Sequence, residues 1–412
     1  MVYQPATGAR DLLPLDVARQ RWLEQRLEQV FHRWGYQEII TPTIEKIETL
    51  IAGGALESDT LIHLRHGDGE SLGLRPELTA SIARAAVTRM AGVTFPQRLY
   101  YKANVFRRSP LQGMSAQRLT QQQEFFQTGA ELIGGGGLAA DAEILLIVQD
   151  CLHNLGLSPC YLLLGDGGLT QMLLGEFPPE WRGLIRQNLA RLDRVALESL
   201  PATLRNRALD LFDLRGAATD VCDRLEDWPL STPAQERLQQ LKSLIDLIGS
   251  SDHPLPLTLD LSLIQSFDYY TGIVFDVMAQ TETELKVVAQ GGRYDQLLGT
   301  YHPEGQSTPG IGFVFNLEDL EQALLRTGHL ATGIAHSQWL VIPTAENALG
   351  AAFAHAQTLR LEGTTRVEVA LEMLAPEQFR AYARDRNIPY LAWVDAQGRP
   401  QVEALSTEMV RC

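Results

Sequence analysis

The sequence predicts an α+β protein in which an antiparallel sheet is flanked by helices, interrupted by a helical insertion and followed by a small α/β domain. Three observations carry this. Strand-like runs fall in two blocks, one ending near Gly134 and one beginning near Leu255, rather than alternating with helices. The segment between, about 167–250, is polar with helical periodicity. From about residue 336 the pattern changes to strand, helix, strand, helix, strand. At 412 residues the chain is long enough for two or three domains. The division expected is a core over 1–330, with the insertion inside it, and a small unit over 336–412.

Each element has a local reason. After a proline-marked turn, apolar residues at Leu23, Leu27, Val30, Phe31 and Trp34 form a helical stripe, and Gly35 stops it. "QEIITP" predicts a short strand ended by Pro42. "LIHLRHGDGESLGL" predicts a hairpin turning at "HGDG". "LRPELT" leads into a helix with Thr79 as its expected cap. "RLYYKANVFRR" and "QEFFQTGAELIG" predict two longer strands joined by a polar loop, and "DAEILLIVQDCLHNLG" a helix. After the insertion, strands return in "LPLTLDLSLI", "TGIVFDVMA", "LKVVAQGG" and "GIGFVFNL", and "NLEDLEQALLRTG" predicts a helix. Leu259 to Val277 reads as one strand-like run, so Tyr269 and Tyr270 would point to opposite faces. In the last unit, Ala348, Leu349, Ala352, Phe353, Ala356 and Leu359 form a helical stripe, and the alternation predicts a largely parallel sheet.

Composition excludes several classes. The chain is 45% hydrophobic and 21% charged, as in ordinary globular proteins. It has no apolar run of about 18 residues, so no membrane span is expected, and no signal-peptide core opens it. Cys151, Cys160, Cys222 and Cys412 form no CxxC pair, which fits a reduced, cytoplasmic protein. His63 and His66 are the one close histidine pair, with no third ligand near, so no metal is expected. The glycine run before residue 138 lacks the lysine and serine or threonine of a phosphate loop. A formal charge of −15, without a Lys/Arg-rich run, weighs against nucleic acid.

The residues that could make a pocket are few. On "FFQTGAEL", Gln127, Gly129 and Glu131 share one strand face, while Phe126, Ala130 and Leu132 share the other. Gly129 leaves a gap in which a ligand could lie; the alternative is a solvated sheet face. "LRPELT" contributes Glu77 and Thr79, readable also as a cap with a surface acid. "AQGGRYDQLL" suits close backbone packing. Two acids, an amide and tyrosines suit a small cationic ligand, since carboxylates hold an ammonium by charge-assisted hydrogen bonds. A carboxylate and a tyrosine hydroxyl between them can hold both nitrogens of an imidazole. That chemistry favours an amino acid, and suits histidine.

The ordered motifs "GARDLLP", "TPTIE", "LRPELTA", "NVFRR", "FFQTGAELIG", "FDYYTGIVFD", "GGRYDQLLG" and "GIGFVFNLEDL" resemble the catalytic core of histidyl-tRNA synthetase, a class II synthetase, over about residues 5–325. The resemblance implies a six-stranded antiparallel sheet and a homodimer. It also implies that Glu77, Thr79 and Gln127 hold the α-amino end of histidine, that Glu131 and Tyr269 read the imidazole, and that Tyr270 completes the wall, with Arg107 retained beside them. The last unit resembles a shortened anticodon-binding domain; its "PEQFRAYARDRN" helix carries three arginines, read as a solvated face.

The departures fall on the nucleotide side. Where the synthetase has an arginine before the tyrosine motif this chain has Gln265. Where an arginine would meet the ATP phosphates it has Asp319, and the expected acid after Arg107 is Ser109. Losing one preorganised donor at developing charge typically lowers a rate by about 10²–10³. An aspartate beside a triphosphate adds repulsion of roughly 4 kcal/mol at about 4 Å, even at an effective dielectric of 20. A sound histidine site beside a dismantled ATP site resembles the regulatory subunits of ATP phosphoribosyltransferase. The resemblance implies a non-catalytic partner of the short-form catalytic subunit, with L-histidine as effector, no cofactor and no tRNA. The alternatives are an active histidyl-tRNA synthetase and a free-standing histidine sensor.

Overall fold

The computed structural model describes residues 4–6, 8–54, 60–65, 69–108, 122–263, 270–361, 363 and 365–405. The chain divides into two compact units, Met1–Ala331 and Thr332–Cys412.

In the first unit, α1 (Pro14–Arg33) begins with Pro14 in its first turn, and the Asp16 carboxylate accepts from the Leu13 N–H at 2.9 Å. Its stripe is buried as its spacing predicts: Leu23, Leu27, Val30 and Phe31 are fully enclosed, each contributing roughly 1.5–3 kcal/mol by leaving water. The strand expected over "QEIITP" is reduced to β1 (Gln37–Glu38), a parallel edge. It is short because Ile40 is 85% exposed and has no face to bury. Next come β2 (Ile44–Lys46), α2 (Ile47–Ala52), β3 (Ile62–Leu64) and β4 (Leu72–Leu74), in a three-stranded sheet of order β2-β4-β3. β3 and β4 are the expected hairpin; its tip, including His66, lies outside the described residues. Then follow α3 (Thr79–Thr88), β5 (Gln97–Phe106), β6 (Glu124–Ile133), α4 (Gly137–Leu155) and β7 (Cys160–Asp166).

The helical insertion contains α5 (Gly167–Gly175), α6 (Pro179–Ala190), α7 (Arg194–Glu198) and α8 (Ala202–Phe212). A short strand that the pattern did not predict follows, β8 (Arg215–Ala217), and then α9 (Ala218–Glu226) and α10 (Thr232–Gly249). The core resumes with β9 (Leu257–Asp260), β10 (Ile273–Gln280), β11 (Leu285–Arg293), α11 (Leu297–Tyr301), β12 (Gly310–Asn316) and α12 (Leu317–Leu324). The run from Leu259 to Val277 is therefore not one strand. β9 stops at Asp260 and β10 starts at Ile273, so Tyr270 sits in a non-strand segment.

The main sheet has the order β1-β5-β6-β12-β11-β10-β7-β9-β8. Its middle, β5 to β7, is the antiparallel run of six strands, with parallel pairs only at β1–β5 and β7–β9. One face packs Ala130, Leu132 and Phe315 into the large core shared with α1, α4, α12 and the insertion. The opposite face carries Leu99, Tyr101, Val105 and Phe125 into a smaller core with α3 and α11. β6 is thus buried on both faces, which overturns the reading of its polar face as solvated.

The second unit is a four-stranded sheet of order β14-β13-β15-β16: β13 (Trp339–Pro343), α13 (Leu349–Leu361), β14 (Val367–Val369), α14 (Pro376–Asp385), β15 (Tyr390–Val394) and β16 (Pro400–Ala404). The first three strands pair in parallel as expected, and β16 adds an antiparallel edge. α13 buries only Ala352 and Ala356 of its stripe, while Leu349 and Phe353 stay exposed. Small side chains suffice where a helix lies close on a sheet. On α14, Arg380 is tied to Glu403 and Glu377 at 2.6 Å each, and Arg386, just past its end, lies 3.6 Å from Glu368, so two of the three arginines are paired with acids.

Candidate ligand-binding cleft

Above the α3 side of the sheet, Glu77, Thr79, Arg107, Gln127, Glu131 and Tyr270 line one cleft. Its volume is about 40 Å³ once the reach of a water is subtracted, several times the roughly 10–15 Å³ one water needs. All six are residues that the sequence motifs point to. Tyr269, Gln265 and Ser109 lie outside the described residues.

The turn from β4 into α3 is held from below. Arg75 is buried and donates from Nη1 to the Thr41 carbonyl at 2.7 Å and from Nε to the Asn104 carbonyl at 3.0 Å. This corrects the expected cap. The Glu77 carboxylate accepts from the Ala80 N–H at 3.0 Å and satisfies one orphan donor of the first turn. Thr79 is already inside the helix, and its hydroxyl donates instead to Glu131 Oε1 at 2.7 Å. The Glu77 carboxylate already serves the helix end, which leaves the Thr79 hydroxyl for a buried carboxylate that needs donors.

Glu131 is the centre of the site. It is 1% exposed, and its second oxygen accepts from the Tyr294 hydroxyl. Burial pushes its carboxyl up to about 8; the Tyr294 and Thr79 donors oppose this and nearby Glu77 adds to it. Glu77 is also pushed up by burial, against its backbone donors. Gln127 donates from Nε2 to Asn316 Oδ1 at 3.0 Å, and Arg107 donates from Nε to the Pro76 carbonyl at 2.8 Å. Gln290, also on the lining, donates to Asp276 Oδ1 at 3.0 Å.

The gap at Gly129 is not left for a ligand. Tyr101, its cross-strand partner, fills it: its hydroxyl oxygen lies 2.6 Å from where a Cβ would stand. The lining also holds Tyr101, Tyr294, Gln290 and Asn316 as polar groups, with Leu78, Gly312, Phe313 and Val314, none of which the sequence marks as pocket residues. The tyrosine of "GGRYD" had been seen, but as packing. Tyr101 carried a usable signal, since it shares the period-two face of β5 with Leu99 and Val105.

Asp319 is on α12, outside the cleft lining, with Oδ1 at 3.9 Å from Lys286 Nζ. That lysine also lies 3.4 Å from Glu284. Among the described residues lining the cleft, Arg107 is the one cation, facing two buried carboxyls. Such a set can hold an amino acid: acids and a hydroxyl for its cationic groups, and the guanidinium for its carboxylate. Among the described residues no group of three or more His, Cys, Asp or Glu could hold a metal ion.

The family model described as Histidyl-tRNA synthetase matches residues 8–320. A histidyl-tRNA synthetase from a Nostoc species aligns with a TM-score of 0.77, at 20% identity, over 98% of this chain and 97% of that one. A structure described as an ATP phosphoribosyltransferase regulatory subunit/histidyl-tRNA synthetase from Bacillus halodurans aligns with a TM-score of 0.79, at 24% identity, over 96% and 99%. The fold and site therefore define a class II, histidyl-tRNA synthetase-like protein. Closer likenesses narrow this. ATP phosphoribosyltransferase regulatory subunits from Thermosynechococcus vestitus and a Cyanothece species are 62% and 58% identical to it, each over 98% of this chain and over 97% and 100% of their own lengths. The chain belongs to the family of ATP phosphoribosyltransferase regulatory subunits.

Proposed function

We propose that this chain is the non-catalytic partner of a short-form ATP phosphoribosyltransferase catalytic subunit, and that histidine bound in the cleft is its effector. It acts as a homodimer inside a hetero-oligomer, in the cytoplasm, at the first step of histidine biosynthesis. It carries no synthetase activity of its own. The observation that supports this most is the contrast between two neighbouring regions. Glu77, Thr79, Arg107, Gln127 and Glu131 converge on one cleft, whereas position 319, where a synthetase would hold ATP phosphates with an arginine, is an aspartate facing Lys286. The names of the relatives support the same partner.

By linkage, histidine can shift the complex only through its different affinity for two states, with a coupling of roughly 1–3 kcal/mol being typical. The test is the phosphoribosyltransferase rate of a short-form catalytic subunit with and without this chain, across a histidine titration. Stimulation by the chain that histidine reverses is expected. A rate indifferent to the chain would overturn the reading, as would histidine-dependent pyrophosphate exchange by the chain alone.

A further inference from the structure

The wall that carries Tyr270 meets the helical insertion at the corner between β7 and α5, where Asp166 forms a buried ion pair with Arg237. Asp166, the last residue of β7, is wholly buried; its Oδ1 accepts from the Leu169 N–H at 2.8 Å and its Oδ2 from Arg237 Nε, on α10, at 2.7 Å. The next residue, Gly167, donates its N–H to the Gly272 carbonyl at 2.8 Å. On the other side, the Thr271 N–H donates to the Arg293 carbonyl at 2.8 Å, and the Thr271 hydroxyl accepts from the Asp295 N–H at 2.9 Å. Arg293 is itself anchored on Asp141 at 2.6 Å. Residues 270–272 are thus gripped by β11 on one side and by the Asp166–Gly167 corner on the other. That corner is set by an arginine from the insertion.

A second observation singles out Arg237. Its Nη2 is buried and has no hydrogen-bond partner among the described residues, and it sits 3.0 Å from where a Cβ on Gly272 would be. A buried guanidinium nitrogen left unpaired is costly, so the arrangement is not the relaxed optimum for this arginine. A small shift of 270–272 would bring a carbonyl to that nitrogen. The link is contiguous: α10, Arg237, Asp166, Gly167, Gly272, Tyr270, cleft.

We propose that Arg237 is a positioning residue through which the helical insertion and the cleft are coupled: occupancy at Tyr270 changes the stability of α10, and α10 in turn sets the affinity of the cleft. The effector half of this rests on the proposed histidine reading; the mechanical half does not.

The test is amide hydrogen exchange on the full chain, with and without histidine. Arg237→Gln alone leaves Asp166 buried without its partner and can fail to fold, so the decisive variant is Asp166→Asn with Arg237→Gln. This pair can still hydrogen-bond and strands no charge. Exchange at the Gly167 and Thr271 amides should rise about fivefold or more without ligand, and histidine should cease to protect α10 as it does in the wild type. Arg237→Lys, which keeps the charge, should restore part of both effects. Unchanged exchange at Gly167 and Thr271 in the folded double variant would overturn the coupling, as would histidine protection of α10 that survives in it. If the variant loosens both amides but histidine protects nothing in the wild type, the mechanical link stands and the histidine assignment falls.

Discussion

Glu131 Oε2 lies 1.7 Å from the point where a Cβ on Gly312 would stand, so the central carboxylate of the cleft occupies the side-chain space of its cross-strand partner. The two residues face each other across β6 and β12, and the absence of one side chain is what admits the other. With Thr79 and Tyr294 donating to it, Glu131 can hardly move.

Gly312→Ala should therefore displace Glu131 from both donors. Overpacking of this kind typically costs about 1–3 kcal/mol. Chemical denaturation should register that loss, and calorimetry should find histidine binding abolished or weakened at least about tenfold.

Glu131→Gln separates folding from binding. The carboxyl, raised to about 8, is mostly neutral at pH 7, so an amide in its place should change stability at pH 7 by less than about 1 kcal/mol. Histidine affinity should nonetheless fall about 30-fold or more, because a charge-assisted hydrogen bond is lost.

The same raised carboxyl gives a pH signature. A cationic or N–H-donating ligand favours ionised Glu131, so binding below about pH 8 should release protons, and affinity should rise as pH climbs toward that value. For folding the sign is opposite. An acid whose folded value is raised favours the folded state least when ionised, so its contribution is lost as pH rises from the ordinary carboxylate range through about 8. Titration calorimetry in buffers of different ionisation enthalpy measures the proton count, and Glu131→Gln should reduce it, leaving at most the share of Glu77, whose carboxyl burial also pushes up.

Glu77 has two roles that two substitutions can divide. Glu77→Gln keeps an oxygen for the Ala80 N–H, so α3 should retain its stability while cation binding weakens. Glu77→Ala removes the cap as well and should cost roughly 0.5–2 kcal/mol more. Denaturant midpoints of the two variants, set beside their histidine affinities, give the comparison.

Asp319→Arg tests the nucleotide side. The substitution should gain at most weak ATP binding, because position 265, where the synthetase resemblance implies a second arginine, stays a glutamine, and Lys286 would then face a like charge at a position now 3.9 Å from an acid. Pyrophosphate exchange should stay at background in the single variant.

Much of this was legible in the chain. The stripe from Leu23 to Phe31, the long strands β5 and β6 and the shared face of Gln127 and Glu131 follow from periodicity, which is a local property of helix and strand geometry. The run from Leu259 to Val277 divides between β9 and β10 because apolar, β-branched and aromatic content does not by itself mark where a strand ends. Thr79 was misread because a capping residue and a residue one position inside the helix look alike in sequence.

By itself, the sequence determined which side chains alternate to which side of each strand, and that positions 265 and 319 carry a glutamine and an aspartate, since both are set by residue identity and near neighbours. Only the tertiary structure decided what those side chains meet. Tyr294 reaches Glu131 from 163 residues away, Tyr101 fills the space at Gly129, and Arg237 on α10 reaches Asp166 at the end of β7. The physical reason is that burial, and hence the protonation of a carboxyl or the fate of a gap, depends on strands brought together by the whole sheet rather than on any local run.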